Sequence, residues 1–140
     1  MTYDDLLAIV AGSSRDEWVS NGKHWTYKPD LMIRLEDTTN DEYEDRRDRD
    51  FNEEWAMAFP DKNARRVSYT LYYGPSVVKK VDMVSVDGGR TLIPMTKSPT
   101  EHTITEWQYR FAKIVELHPG PDSAYNLDTR LKQAGITVKG

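Results

Sequence analysis

Hydrophobic residues follow helical spacing at both ends of the chain and alternate with polar residues through its middle. The segment Tyr3–Ala11 is predicted to be a helix, because Thr2 can cap its first turn and Gly12 can end it. The buried face of this helix would consist of the apolar residues Leu6, Leu7, Ile9 and Val10.

A run of strands is predicted to follow this helix. Asn21-Gly22 favours the positive φ angles of a type I′ turn, so Glu17–Ser20 and Lys23–Lys28 are predicted to form a hairpin. In the next segment Leu31, Ile33 and Leu35 alternate with Met32, Arg34 and Glu36. This pattern is typical of a strand with one buried face.

Four further strands are predicted after residue 54. Trp55–Phe59 alternates large and small apolar residues, and Val67–Tyr73 alternates apolar and polar ones. A Gly-Pro turn then leads into a strand over Val77–Val86. An Asp-Gly-Gly turn follows that strand and leads into another over Arg90–Met95. The last three strands are predicted to form an antiparallel meander.

After Pro99 the spacing of apolar residues becomes helical again. One helix would be capped by Thr103 or Thr105 and bury Ile104, Trp107, Phe111, Ile114 and Val115. A second would start at Asp122 or Ser123, bury Ala124, Leu127, Leu131 and Ala134, and end before Gly135. A helix, a run of strands and two helices predict a single α+β domain over residues 1–140, with an antiparallel sheet and the helices on one face.

Charge is concentrated in one segment of the chain. Glu36–Glu54 contains ten acidic residues and three arginines, a net charge of −7, whereas the rest of the chain has a net charge of +3. Crowded like charges repel each other and resist compaction, so this segment is predicted to be an acidic loop.

The acidic segment has three interpretations. It is a candidate partner-binding surface for Lys and Arg, or a solvated loop that Arg46, Arg47 and Arg49 partly neutralise. The segment lacks the glycine of calcium loops and its arginines oppose a cation, which disfavours a divalent metal site. The candidate partner-binding residues are Asp41, Glu42, Glu44, Asp45, Asp48, Asp50, Glu53 and Glu54.

Composition excludes several function classes. The chain has no cysteine, which rules out disulfides, thiolate metal sites and cysteine nucleophiles. Its longest apolar run, Leu6–Ala11, is too short to span a membrane, and its acidic N-terminus differs from a signal peptide. The sequence pI near 5.4 disfavours direct binding of nucleic acid. We therefore expect a cytoplasmic protein with no cofactor and no membrane partner.

Catalytic motifs are not evident in the sequence. His24, His102 and His118 are far apart, and the position of His118 suits a helix C-terminus. The chain has neither a nucleophile elbow nor a Walker loop, and Asp87-Gly88-Gly89 is better explained as a hairpin turn than as a phosphate cradle. We therefore do not expect an enzyme, although a pair of carboxylates remains a possible acid and base.

Aromatic residues are concentrated in the predicted strands. Tyr72 lies on the opposite face of its strand from Tyr69 and Tyr73, so it is the residue most expected to be exposed and to bind a partner. An alternative hypothesis is a small-molecule or enzymatic pocket lined by Trp25, Tyr27, Tyr69 and Tyr73 with one or two carboxylates.

In size, charge and organisation the chain resembles bacterial immunity proteins of polymorphic toxins and of contact-dependent growth inhibition systems. The resemblance is based mainly on the acidic run Asp41–Glu54 and the meander Arg66–Met95. It implies a one-to-one complex with a cognate basic toxin domain, such as a nuclease, whose active site or substrate groove would be covered. A ligand-binding or enzymatic domain, and a structural or phage-derived assembly protein, are the alternatives.

Overall fold

The computed structural model describes residues 1–39, 65–85, 87–95 and 103–139. In chain order the elements are α1 (Tyr3–Gly12), a 3₁₀ turn (Arg15–Glu17), β1 (Trp18–Asn21), β2 (His24–Tyr27), β3 (Ile33–Asp37), β4 (Arg65–Tyr73), β5 (Ser76–Ser85), β6 (Ile93–Pro94), β7 (Thr103–Thr105), α2 (Glu106–Ile114), α3 (Leu127–Ala134) and β8 (Thr137–Lys139). The predicted α+β class is confirmed. The predicted strand Trp55–Phe59 lies outside the described residues.

Strands β1 to β6 form one antiparallel sheet in sequential order, which confirms the meander. The first hairpin differs from the prediction in its turn. Asn21 belongs to β1 and pairs with His24, so the two connecting residues are Gly22 and Lys23. Only Gly22 has a positive φ, of 65°, whereas a type I′ turn needs positive φ at both positions.

Helices α1 and α2 pack against one face of the sheet, which we call the inner face. The core between them contains Leu35, Leu71 and Met83 from the central strands, together with Val10 of α1 and Phe111 of α2. These five side chains are fully buried. Burial of large apolar side chains of this kind is the dominant favourable term in folding.

Strand β4 is buried on both faces, whereas its alternation predicted one polar, open face. On that second face, which we call the outer face, Ser68 and Thr70 are buried. The Thr70 hydroxyl lies 2.8 Å from the Thr38 hydroxyl, and the Ser68 hydroxyl donates to Asp82 at 2.9 Å. Small hydroxyl side chains can be buried here because each has a hydrogen-bond partner.

The C-terminal third departs most from the sequence prediction. Ile104 lies in β7, which pairs in parallel with β8, a strand that was not predicted. Thr105, one of the two predicted caps, accepts from the Gln108 amide. Helix α3 is capped by Asn126 rather than by Asp122 or Ser123, and it ends before Gly135 as predicted.

Two predicted strands are also shorter in the structure. Leu31 precedes β3 in a turn and is 71% exposed, so the strand predicted from Leu31 begins two positions too early. The predicted strand Arg90–Met95 pairs with β5 only at Ile93 and Pro94. Glu36 and Asp37, assigned to the acidic loop, form the end of β3.

Candidate protein-binding surface on the outer sheet face

Tyr72 lies near the end of β4 on the outer face of the sheet, as its alternation with Tyr69 and Tyr73 predicted. It pairs with Arg34 of β3 on one side and with Val77 of β5 on the other. Its side chain is half-buried. A register shift between Leu71 and Tyr72 marks an irregularity in the ladder at this position. Such irregularities re-aim side chains near the ends of strands.

Arg34 fixes one side of the Tyr72 ring. The guanidinium carbon lies 4.4 Å from the ring centre, a cation–π contact. The Arg34 Nε donates to Glu36 at 2.8 Å, and its Nη1 donates to the carbonyl of Gly74. These three contacts hold both side chains in one arrangement before any partner binds, which lowers the entropy lost on binding.

Exposed apolar residues lie in the chain segments next to this pair: Leu31 and Met32 come just before β3, and Val77 pairs with Tyr72 in the sheet. Leu31 is 71%, Met32 51% and Val77 60% exposed. The Met32 carbonyl accepts from the Gly74 amide at 2.9 Å, so the turn before β3 lies against the β4–β5 turn. We call Leu31, Met32, Arg34, Tyr72 and Val77 the Tyr72 surface. Exposed apolar residues beside Tyr and Arg are typical of protein interfaces.

The predicted acidic partner-binding residues do not belong to the part of the chain that the structure describes. Asp41, Glu42, Glu44, Asp45, Asp48, Asp50, Glu53 and Glu54 all lie in the range 40–64. The structure does show where this range joins the sheet. The chain leaves β3 after Asp37, which pairs with Tyr69 of β4. Thr39, just before this range, is hydrogen-bonded to Ser68, and Arg65 follows the range, so its two ends join the sheet four and seven residues along β4 from Tyr72.

The four aromatic residues of the predicted pocket do not converge. Tyr69 packs edge-on against Phe111 in the core, and Trp25 lies under the Arg15 guanidinium. Tyr27 packs against Trp18 with ring centres 5.1 Å apart. Clefts of about 400, 320 and 220 Å³ on the described surface are lined by other residues. The aromatic residues therefore serve packing more than ligand binding.

A polar cluster between α2 and α3 was not predicted, because an i,i+3 pair of opposite charges near a helix end is normally solvated. Lys113 Nζ lies 2.8 Å from the buried Glu116 carboxylate and 3.4 Å from Asp128. Glu116 also accepts from the Leu127 amide at 3.2 Å, at the start of α3. Burial by itself would lower the pKa of Lys113. The nearby Glu116 and Asp128 carboxylates raise it by more, so the pKa lies above its ordinary value.

Tyr109 completes this cluster. Its hydroxyl donates to Asp128 at 2.6 Å. Burial and this hydrogen bond raise the pKa of Tyr109 to about 12. A tyrosine that holds its proton so firmly is a poor general base. The cluster is therefore better explained as the contact that joins α2 to α3 than as a catalytic site.

The Asp87-Gly88-Gly89 turn is held by its own neighbours. The Gly89 amide donates to the Ser85 hydroxyl at 2.7 Å, and the Thr91 amide donates to Asp87 at 2.8 Å. Arg130 Nη2 lies 3.0 Å from Asp87 Oδ2. This contact is an ion pair without the geometry of a hydrogen bond. Since these amides already have acceptors, the turn offers little to a phosphate.

The described histidines are accounted for by local contacts. His24 Nδ1 lies 3.1 Å from Glu36 on the outer face. His118 was predicted to lie at a helix C-terminus, but α2 already ends at Ile114. The centre of the His118 ring lies 5.8 Å from the centre of the Tyr125 ring. His102 lies outside the described residues.

The described ranges contain no cluster of three or more His, Cys, Asp or Glu that is arranged to hold a metal ion. No helix within those ranges combines the length and the apolar character needed to cross a membrane.

No family model matches the chain, and no curated protein or solved structure matches it significantly. The Tyr72 surface is therefore the candidate functional site that the geometry supports best.

Proposed function

We propose that this protein is an inhibitory binding protein of the immunity type, which neutralises a cognate cationic toxin domain in the cytoplasm. The observation that carries the proposal is the Tyr72 surface, where a fixed Arg–Tyr pair lies beside chain segments with exposed apolar side chains. Aromatic and arginine side chains at the centre of a contact supply most of the affinity in protein complexes.

The acidic segment would add charge complementarity to this contact. Residues 41–54 hold eight acids and three arginines. Toxin domains that act on nucleic acid bind phosphates with Lys and Arg. Acids opposite such residues raise the association rate and exclude wrong partners, whereas the buried aromatic contact limits dissociation.

The mechanism would be occlusion without turnover. The protein would cover the toxin's active site or substrate groove, with Tyr72 as the anchor and Leu31, Met32 and Val77 as the apolar contact around it. No residue of the inhibitor would need to react. In support of this, the charged groups of Lys113 and Glu116 already have partners within the protein.

The first test is substitution of the anchor. The tagged protein is used to capture partners from extracts of the source organism, and the affinity for a captured basic protein is then measured with Tyr72→Ala and with Tyr3→Ala. Tyr3 is half-exposed at the start of α1, outside the Tyr72 surface, and serves as the matched control. Tyr72→Ala is expected to weaken binding at least about tenfold with little change in melting temperature.

A large fall in the melting temperature of Tyr72→Ala would instead assign Tyr72 to the core. Equal affinity of the two alanine variants would remove the Tyr72 surface from the mechanism. Capture of a basic protein whose activity is unaffected by the complex would refute inhibition.

The second test separates local from total charge. Asp45→Lys with Asp48→Lys raises the formal net charge from −4 to 0, and so does the control pair Asp4→Lys with Asp122→Lys, at two exposed acids. Only the first pair is expected to slow association and to reduce its dependence on salt. Equal effects of the two pairs would leave net charge, not the acidic segment, as the cause.

A further inference from the structure

We propose that the cleft between β5 and the start of α2 binds a small oxyanion, a carboxylate or a phosphate, through Lys79. The site is separate from the Tyr72 surface and independent of the proposed inhibitory function. The cleft has a volume of about 320 Å³, within the range of small-molecule sites. Its lining residues are Lys79, Lys80, Val81, Asp82, Met95, Thr105, Trp107 and Gln108.

The cleft exists because β6 is short. Strand β6 pairs with β5 only at Met83 and Val84. Among the described residues, Ser76–Val81 therefore has no neighbouring strand on that side of β5. The first turn of α2 lies over this open edge, and Met95 limits the cleft at the end of β6.

Lys79 is a half-buried cation without an anion. It lies on the inner face of β5, opposite the buried Leu71. Its ammonium is 4.8 Å from the centre of the Trp107 ring. No hydrogen bond or ion pair joins this ammonium to any carboxylate in the described part of the chain. The face of the Trp107 ring attracts the ammonium but does not neutralise its charge.

Among the described residues, three other half-buried cations have a carboxylate partner, and Arg15 donates instead to the backbone carbonyls of Ile114 and Glu116. Arg34 contacts Glu36 at 2.8 Å, Lys113 contacts Glu116 at 2.8 Å, and Arg130 contacts Asp87 at 3.0 Å. The same chain thus supplies a carboxylate at three such positions and none at Lys79. A ligand with a negative charge would fill this role at the cleft.

Asp82 lines the same cleft but does not neutralise Lys79. Its carboxylate accepts from the Ser68 hydroxyl at 2.9 Å, and Ser68 lies on the outer face of the sheet. Adjacent side chains of a strand point to opposite faces, so Asp82 and Lys80 flank the cleft from the other side of β5. The inner part of the cleft therefore keeps the positive charge of Lys79.

A second donor in the cleft is Gln108. Its Oε1 accepts from the Thr105 amide at 2.8 Å in the capping box of α2, which leaves its NH₂ group available. Lys79 and Gln108 would together donate to an oxyanion, and Met95 and Trp107 would contact a short apolar body attached to it. The cleft thus fits a small organic acid or a phosphate.

The test uses benzoate, inorganic phosphate and neutral benzamide as probes at constant ionic strength in chloride. Binding is followed by NMR through the indole N–H of Trp107 and the side-chain amide of Gln108. Benzoate, phosphate or both are expected to give saturable shifts at millimolar concentration, and benzamide none. The ratio of the two anion affinities identifies the preferred class.

Variants make the assignment specific to Lys79. Lys79→Met and Lys79→Gln are each expected to weaken anion binding at least tenfold, whereas Lys23→Met, at an exposed lysine of the β1–β2 turn, leaves it unchanged. Lys79→Met is also expected to keep or raise the melting temperature, because an unpaired half-buried charge is removed. Absent shifts in the wild type, or equal shifts in Lys79→Met and Lys23→Met, would overturn the proposal.

Discussion

At the scale of single residues, Glu116 joins three separate parts of the chain. Its carboxylate receives Lys113 of α2 and the Leu127 amide at the start of α3, and its backbone carbonyl accepts from Arg15. The Glu116 side chain is 3% exposed. A buried carboxylate in such a position is costly to remove, because the buried Leu127 amide loses its acceptor with no water to replace it and Lys113 keeps only Asp128.

Glu116→Ala is therefore expected to lower the free energy of unfolding by roughly 2–4 kcal/mol. Urea denaturation measures this change. The matched control is Glu106→Ala, which removes a half-exposed carboxylate from an ion pair with Arg110 on the surface of the same helix. The control should change stability by less than about 0.5 kcal/mol. Equal losses in both variants would contradict a linking role for Glu116.

The residues of the candidate surface were only partly predictable from sequence. The placement of Tyr72 on the outer face followed from alternation alone, because side chains of a strand point to opposite faces in turn, although the side chain is half-buried rather than exposed. The stacking of Arg34 on Tyr72 depends on which residues the register places side by side, and the two are 38 positions apart in the chain. Glu116 and Lys113 were missed because a charged pair on a helix end is normally solvated.

At the scale of elements, helix starts were predicted best where the candidate caps were few and one of them could form a capping box. Thr2 and Thr105 each form a complete capping box. The start of α3 was predicted too early, since Asp122, Ser123 and Asn126 are all good caps. Ser123 instead accepts from the Tyr125 amide in a preceding turn. Local chemistry therefore defines the set of possible caps, and packing selects one of them.

Two glycines at helix ends are expected to respond oppositely to alanine. Gly12 is the last residue of α1, has no positive φ, and an added Cβ meets nothing within 4 Å. Gly12→Ala should stabilise the protein by about 0.5–1 kcal/mol, because alanine loses less backbone entropy. Gly135 caps α3 in the left-handed region at φ 71°. Gly135→Ala should destabilise by about 1 kcal/mol.

Thermal and urea unfolding of the two variants measure this contrast. The pair serves as its own control, since the substitution is the same and only the backbone conformation differs. A stabilising Gly135→Ala would show that the left-handed cap is not required for the end of α3.

At the scale of the whole molecule, buried tyrosines link stability to alkaline pH. Burial, with the nearby charge of Asp37, raises the pKa of Tyr69 to about 12. Tyr109 is raised to about 12 as well, by burial and by its bond to Asp128. The folded state therefore holds these protons more tightly than the unfolded chain, in which the pKa of tyrosine is about 10.

The free energy of unfolding is consequently expected to fall as pH rises from about 10 to about 12, and to be insensitive to these groups below about pH 10. The raised pKa of Lys113 acts in the same direction. Urea denaturation across this range measures the slope, and Tyr69→Phe or Tyr109→Phe should flatten it. Tyr3→Phe, at an exposed tyrosine of α1, is the matched control. An unchanged slope in both Tyr69→Phe and Tyr109→Phe would refute the linkage.

The sequence by itself determined the α+β class, the order of the central meander and several helix ends, because these depend on residue periodicity and on contacts within a few positions. Only the tertiary structure decided the parallel pairing of β7 with β8, the burial of Ser68 and Thr70, and the shortness of β6. It also decided the position of the Lys79 cleft and of the Tyr72 surface. These features bring together residues that are far apart in the chain. The stability of each contact depends on burial and on strand register, which the local pattern of apolar and polar residues does not encode.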